Sequence, residues 1–211
     1  TGANHDATWQ YFGVAVENAS TEECQNLYEW NEKTGWIKAN SLQPFHGYVM
    51  TQYGVPTINF TGKLMMQNYD IPLYFSADGT QGSNIIANSF PAPIDAKNFT
   101  DDDFEGDIIK TFYLFNSGSW NQWKQNRDSI SLSGDNDDTP GTYYAIPVGS
   151  AKFLDNSYQT IIPSMSGIYV ITESDNAQIH FNYANILKFC DRPFKNIDDM
   201  NEALTISRCR K

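Results

Sequence analysis

The chain has 211 residues, and its 14 Lys plus Arg against 25 Asp plus Glu leave a net charge of −11. That field repels phosphate backbones and anionic headgroups and argues against nucleic acid or a membrane surface as partner. Hydrophobic residues reach 40%, aromatics 14% and charged residues only 18%, so solubility rests on Asn, Ser, Thr, Gln and Tyr, as on a β-protein surface.

Runs of β-branched and aromatic residues, bounded by Gly, Pro, Asn and Asp, recur along the chain. In order they predict strands at residues 9–16, 47–52, 57–64, 71–75, 107–115, 142–148, 167–172 and 177–183. Helical signals are few. Residues 20–30 open with a capping-box pair, Ser20 and Glu23, and residues 197–204 predict a further turn or two. No apolar run approaches the roughly 18 residues of a membrane span, so no membrane insertion is expected. The first residues carry no charged and apolar leader, and the chain reads as mature or trimmed.

Four landmarks occur twice in one order, which is the signature of an internal repeat. The first half runs from 9–16 through Leu27-Tyr28-Glu29-Trp30-Asn31 and Trp36 to 42–50 and 57–62. The second runs from 83–94 through Phe112–Asn116, Trp120 and Trp123 to 161–171 and 178–182. Pro44 and Gly47 are matched by Pro163 and Gly167, a rigid strand entrance followed by a site of close approach. The expectation is an all-β protein, a jelly-roll-like antiparallel β-sandwich formed by two diverged repeats, residues 1–76 and 77–192, as one continuous domain. An insertion at about 125–159 lengthens the second repeat, and residues 193–211 form a C-terminal extension. If the halves fold separately, the boundary falls near the turn-rich residues 76–82.

These landmarks carry a family resemblance. Trp9 to Val14, Tyr28 to Asn31, Gln43 to Tyr48 and Phe60 to Leu64 follow the order of a module common in Bacteroidetes-type secreted and cell-surface proteins, often associated with type IX secretion. Residues 84–95, Asn-Ile-Ile-Ala-Asn-Ser-Phe-Pro-Ala-Pro-Ile-Asp, and the segment Ile162 to Val170 fit its second half, with Ala87 and Ser89 in place of the usual Gly and Pro. The resemblance spans roughly residues 9 to 190. It implies a β-sandwich on an extracellular protein, with other domains of a larger surface protein as neighbours, and it supplies no catalytic residues. By the same resemblance Asp128-Ser129-Ile130 fits an O-glycan attachment pattern.

Catalytic chemistry is hard to place. The histidines His5, His46 and His180 stand at no metal-ligand spacing, and no nucleophile elbow, phosphate loop or Cys/His arrangement is present. Cys24, Cys190 and Cys209 read as buried or idle thiols, although the last two could bridge. No cofactor is expected. The acidic loop at 135–138 makes Asp135, Asp137 and Asp138 the candidate ligands for Ca²⁺, without the spacing of an EF-hand. Aromatic faces pack against sugar CH groups, so Trp120 and Trp123 in their polar turn, with Tyr143, Tyr144 and Trp36, are the candidate ligand-binding residues. The functional expectation is a non-catalytic extracellular or cell-surface module for binding or adhesion, its partner a glycan or an extracellular protein. The alternatives are a carbohydrate-active hydrolase using paired carboxylates, with the acidic run 101–107 as one source of them, and a structural spacer of a larger surface protein.

Overall fold

The computed structural model describes residues 10–51, 57–116, 142–149 and 160–187. Thirteen short strands dominate these residues: β1 (Gln10–Phe12), β2 (Tyr28–Asn31), β3 (Gly35–Lys38), β4 (Tyr48–Met50), β5 (Tyr69–Pro72), β6 (Ser83–Ala87) and β7 (Ile94–Asp95) come first. They are followed by β8 (Phe104–Glu105), β9 (Thr111–Asn116), β10 (Thr142–Pro147), β11 (Ile161–Ile162), β12 (Gly167–Ile171) and β13 (Gln178–Phe181). A single α-helical turn, α1 (Tyr183–Ile186), and two 3₁₀ turns at Ala96–Asn98 and Asp101–Asp103 complete the description. Every pairing between these strands is antiparallel. The protein is all-β, as its composition predicts.

Two four-stranded sheets, β1-β4-β2-β3 and β6-β12-β9-β10, are joined by a three-stranded sheet β5-β13-β8 and the pair β7-β11. The larger sheets share one strand order when each strand is counted by its place along the chain. Their registers agree too. Tyr28 faces Val49 where β2 meets β4, and Tyr113 faces Tyr169 where β9 meets β12. Val49 and Tyr169 each stand two residues after a glycine, Gly47 and Gly167, and two residues before each glycine φ turns positive, 62° at Phe45 and 64° at Met165.

Contacts between these sheets are reciprocal. His46 bridges Ile86 while Ser166 bridges Phe12. The Ala87 N–H donates to the Phe45 carbonyl at 3.2 Å, and the Gly13 N–H donates to the Met165 carbonyl at 2.9 Å. Gly13 and Ala87 meet each other, so that a Cβ on Gly13 would stand 2.2 Å from that of Ala87. The two sheets thus touch at corresponding places in their strand order.

Apolar burial follows strand alternation. One face of the second large sheet places Phe112, Ile146, Ile168, Val170 and Ile86 in the larger core, with Phe90, Phe99, Ile179 and Phe181 from the flanking segments. A smaller core gathers Phe12, Val14, Leu27, Leu42 and Tyr48 behind the first sheet.

Two expected elements differ. Residues 20–30 form turns that lead into β2 rather than a helix. The Ser20 hydroxyl accepts from the Glu22 N–H at 3.2 Å, closing a local turn, and Asn26 at φ 46° leaves helical geometry altogether. Residues 57–60 alternate as a strand should, with Ile58 and Phe60 half-buried, but 61–64 are all exposed and the segment roofs the smaller core instead of extending a sheet. Phe60 stacks on Phe12 at 6.2 Å, and the one ladder contact is the bridge from Leu64 to Val16.

Candidate functional site

Where β2 and β3 pair, Trp30 and Trp36 lie directly opposite and so project from the same face. Phe115 and Tyr143 do the same where β9 and β10 pair. The two faces meet around Tyr11 of β1. Its ring stacks on Phe115 at 4.8 Å and meets Trp36 and Tyr143 edge-on at 5.8 and 6.1 Å. Tyr143 continues the seam to Tyr169 at 5.5 Å, and Tyr169 to Tyr113 at 5.7 Å. Seven aromatic side chains thus form one seam between the sheets, and two of them, Trp36 and Tyr143, remain 38% and 41% exposed.

Polar contacts hold the rings in place. The Tyr11 and Tyr143 hydroxyls are 2.8 Å apart, the Trp30 indole N–H donates to the Ser83 carbonyl at 2.7 Å, and the Ser83 and Tyr169 hydroxyls share a bond of 2.9 Å. Burial raises the pKa of both the Tyr11 and Tyr143 hydroxyls, so both stay protonated and serve as neutral partners to each other.

Trp36 and Tyr143, two of the residues singled out in the sequence, are therefore brought together. Tyr144 is not. As the next residue along β10 it points to the opposite face, where it packs against the larger core. Trp120, Trp123, Asp135, Asp137, Asp138, Cys190 and Cys209 lie outside the described residues. Among the described residues no group of three His, Cys, Asp or Glu could hold a metal ion, and Cys24 is a free, half-buried thiol.

A second feature was not legible in the sequence. A cleft of about 550 Å³ opens between β2, β5 and β6, with Glu29, Glu32, His46, Tyr69 and Tyr74 in its lining. Glu32 directly follows β2 and is only 5% exposed. Its Oε1 accepts from the Gly82 N–H at 2.9 Å, and its carbonyl accepts from both the N–H and the hydroxyl of Thr80. The turn joining the two halves of the chain is thereby tied to β2. Burial pushes the Glu32 carboxyl up, but donors from Gly82, Ser76 and Thr80 together outweigh it and hold the group below the usual carboxylate range.

His46 sits at the strand entrance between Phe45 and Gly47. Its Nε2 stands 3.1 Å from Glu29 Oε2, at ion-pair distance but without hydrogen-bond alignment. Burial lowers the imidazole pKa, and the neighbouring Glu29 opposes that shift only in part. Tyr48, whose ring lies 4.9 Å from that of His46, accepts from the Gln43 N–H at 2.7 Å, and burial pushes its hydroxyl up to about 12. A buried glutamate and a surface glutamate look alike in a sequence, which is why Glu32 escaped notice.

Chemically, the cleft offers an ionised acceptor, an imidazole and aromatic walls. A glycosidase general acid needs a carboxyl pKa raised toward neutrality. Glu32 is shifted the other way.

No family model matches the chain, and no solved structure gives a significant match. Over 200 residues, 86% of this chain, it is 28% identical to the minor fimbrium subunit Mfa5 of Porphyromonas gingivalis. The chain spans only 16% of the length of that protein. An uncharacterized protein of Methanocaldococcus jannaschii is 49% identical over 41 residues, 19% of this chain and 20% of that one.

Proposed function

We propose that this chain is a non-catalytic binding module of a longer cell-surface protein and acts in adhesion. The observation that carries the reading is the match of nearly the whole chain to a small part of a fimbrium subunit, since a segment matched within a much longer surface protein is read most simply as one of its modules. Two features of the fold support it. The seam carries exposed Trp36 and Tyr143 on rigidly held rings, and the cleft beside it presents polar groups among aromatic walls. The same reading takes the two four-stranded sheets as diverged copies of one unit, with copy-specific segments free to vary for recognition.

A second reading, a carbohydrate-active hydrolase, has Glu29 and Glu32 in one cleft in its favour. The ionised state of Glu32 weighs against it as proton donor. A panel of glycans and extracellular proteins, scored for both retention of the chain and turnover, separates the readings. Retention without turnover is expected. Turnover that disappears in Glu29→Gln or Glu32→Gln would make the chain an enzyme, and neither retention nor turnover on any member would leave it a structural spacer.

A further inference from the structure

We propose that β3 is a dimerisation edge: it pairs antiparallel with β3 of a second copy of this chain, with Ile37 on the two-fold axis. The proposal goes beyond the adhesive role and does not rest on it.

The backbone supplies the first step. The Ala39 N–H donates to the Leu27 carbonyl at 3.1 Å, and the same register pairs Glu29 with Ile37 and Asn31 with Gly35. Backbone direction alternates along an antiparallel strand, so Ile37 and Gly35 face β2 while the N–H and C=O of Trp36 and Lys38 face away from it. β3 ends its sheet, and none of these outward groups meets a partner among the described residues. Such an edge is a template for another strand.

Other edges are blocked. Phe12 of β1 is bridged by Ser166, and the outer side of β6 is held by the Gly47 N–H donating to the Ile85 carbonyl and the Ala87 N–H donating to the Phe45 carbonyl. On β10 and β5 the alternation is fixed by the Val148 N–H donating to Lys110 and the Leu73 N–H donating to Ala177, and it turns Pro147 and Pro72 outward. A proline there has no N–H to give. β7, β8 and β11, with two residues each, are too short to serve. β3 has neither cover nor proline. Instead Trp36 and Ile37 are each 38% exposed and project to its opposite faces.

The side chains suit β3 itself as the incoming strand. With Ile37 opposite Ile37 of the second copy, Trp36 lies opposite Lys38 and Lys38 opposite Trp36, and every outward N–H and C=O of these residues finds a partner. Lysine on an edge ordinarily deters pairing. Here each Lys38 ammonium instead meets an indole face, a cation–π contact, while the two Ile37 side chains close on each other. Neighbouring registers fail. Trp36 opposite Trp36 would set Lys38 against Thr34, whose N–H is already held by Asn31 Oδ1 at 3.0 Å. Lys38 opposite Lys38 would set like charges together. In the favoured register both Trp36 faces lie on the same side of the continued sheet, where two contacts to one surface act together.

Sedimentation equilibrium of the intact chain, run up to about 1 mM, tests the proposal. The molar mass should rise with concentration from that of one chain to that of two and stop there, because a two-fold pairing uses up the edge. Ile37→Lys, which sets like charges together on the axis at an exposed position, should keep its urea midpoint and weaken the dimer by at least about tenfold. Facing residues that are not hydrogen-bonded have Cα atoms about 4.5 Å apart, within the roughly 4.4–6.8 Å of a disulfide. Ile37→Cys should therefore be trapped on oxidation as a dimer bridged between the two copies of position 37, whereas Met66→Cys, 55% exposed but outside β3, should not. If Ile37→Lys does not fold, the two cysteine variants carry the test. A dimer of unchanged strength in folded Ile37→Lys, or a bridge at position 37 no more abundant than at 66, would overturn the proposal. One-chain mass at every concentration would overturn it too and leave the edge to a strand of another protein.

Discussion

Replacing Gly13 with Ala places a methyl group where the two large sheets touch. Its Cβ would stand 2.2 Å from Ala87 Cβ, far inside the roughly 3.5–4.0 Å at which carbon atoms rest. Ala87 is fully buried and pairs with Gly167, so it cannot withdraw without disturbing β6 and β12. Overpacking of this kind costs about 1–3 kcal/mol, and the tight geometry argues for the upper end. For a chain of this size about 3 kcal/mol lowers Tm by roughly 6–12 °C. The clash is between two methyl groups, however, and can be relieved from either side. In Gly13→Ala with Ala87→Gly the new methyl fills the space the old one leaves, and the residual cost is the roughly 0.5–1 kcal/mol of a glycine in a strand. Thermal and urea unfolding of the two single variants and the double variant should therefore give a favourable coupling of about 3 kcal/mol, the whole of the relieved clash. A neutral Gly13→Ala, or additive losses in the double variant, would refute the close approach of the sheets at this point.

Further expectations concern the seam, the inter-sheet turn and pH. Trp30→Phe keeps the ring but leaves the Ser83 carbonyl without its 2.7 Å donor, and should cost about 1 kcal/mol in urea unfolding. Gly82→Ala should yield insoluble or unfolded protein on expression, because φ is +81° there and the added Cβ would lie 1.7 Å from the Thr172 carbonyl oxygen. The folded-state pKa of Glu32 lies below its unfolded value of 4.5, so the unfolded chain takes up the proton first as pH falls. Its contribution to stability is thus present above pH 4.5 and is lost as pH drops through the lower folded value. Urea midpoints against pH should show a fall on that acid limb that is shallower in Glu32→Gln.

Element type was legible in the sequence wherever aromatic and β-branched runs were long, as in β9, β10 and β12. The paired landmarks Pro44/Gly47 and Pro163/Gly167 were readable because proline and glycine constrain the backbone itself. The positive φ of Phe45 and Met165 beside them was not, since nothing in a large apolar side chain signals a left-handed turn. β2 and β3 are missing from the strands read in composition because residues 20–30 carried a helical signal and Tyr28–Asn31 and Trp36 served only as landmarks, whereas the structure closes them into a hairpin in which the Asn31 side chain caps the turn. Trp36 and Tyr143 could be named from composition, but their meeting through Tyr11 is a matter of register across two sheets. Tyr144 shows the limit most plainly, because one step along a strand reverses the face. Glu32 became visible only through its burial, a property of the folded chain.

Retention under flow tests most directly whether this chain holds a surface partner through its own exposed faces. Beads coated with the chain, and beads coated with the Trp36→Ala/Tyr143→Ala variant, would be passed over immobilised neutral glycans and extracellular proteins, with unfolding curves taken on both proteins. Wild-type beads should be held on at least one surface, and the variant, still folded, less than about a tenth as well. Equal retention of the two would place the contact away from the aromatic seam, and no retention of wild-type beads on any surface would contradict the binding-module reading.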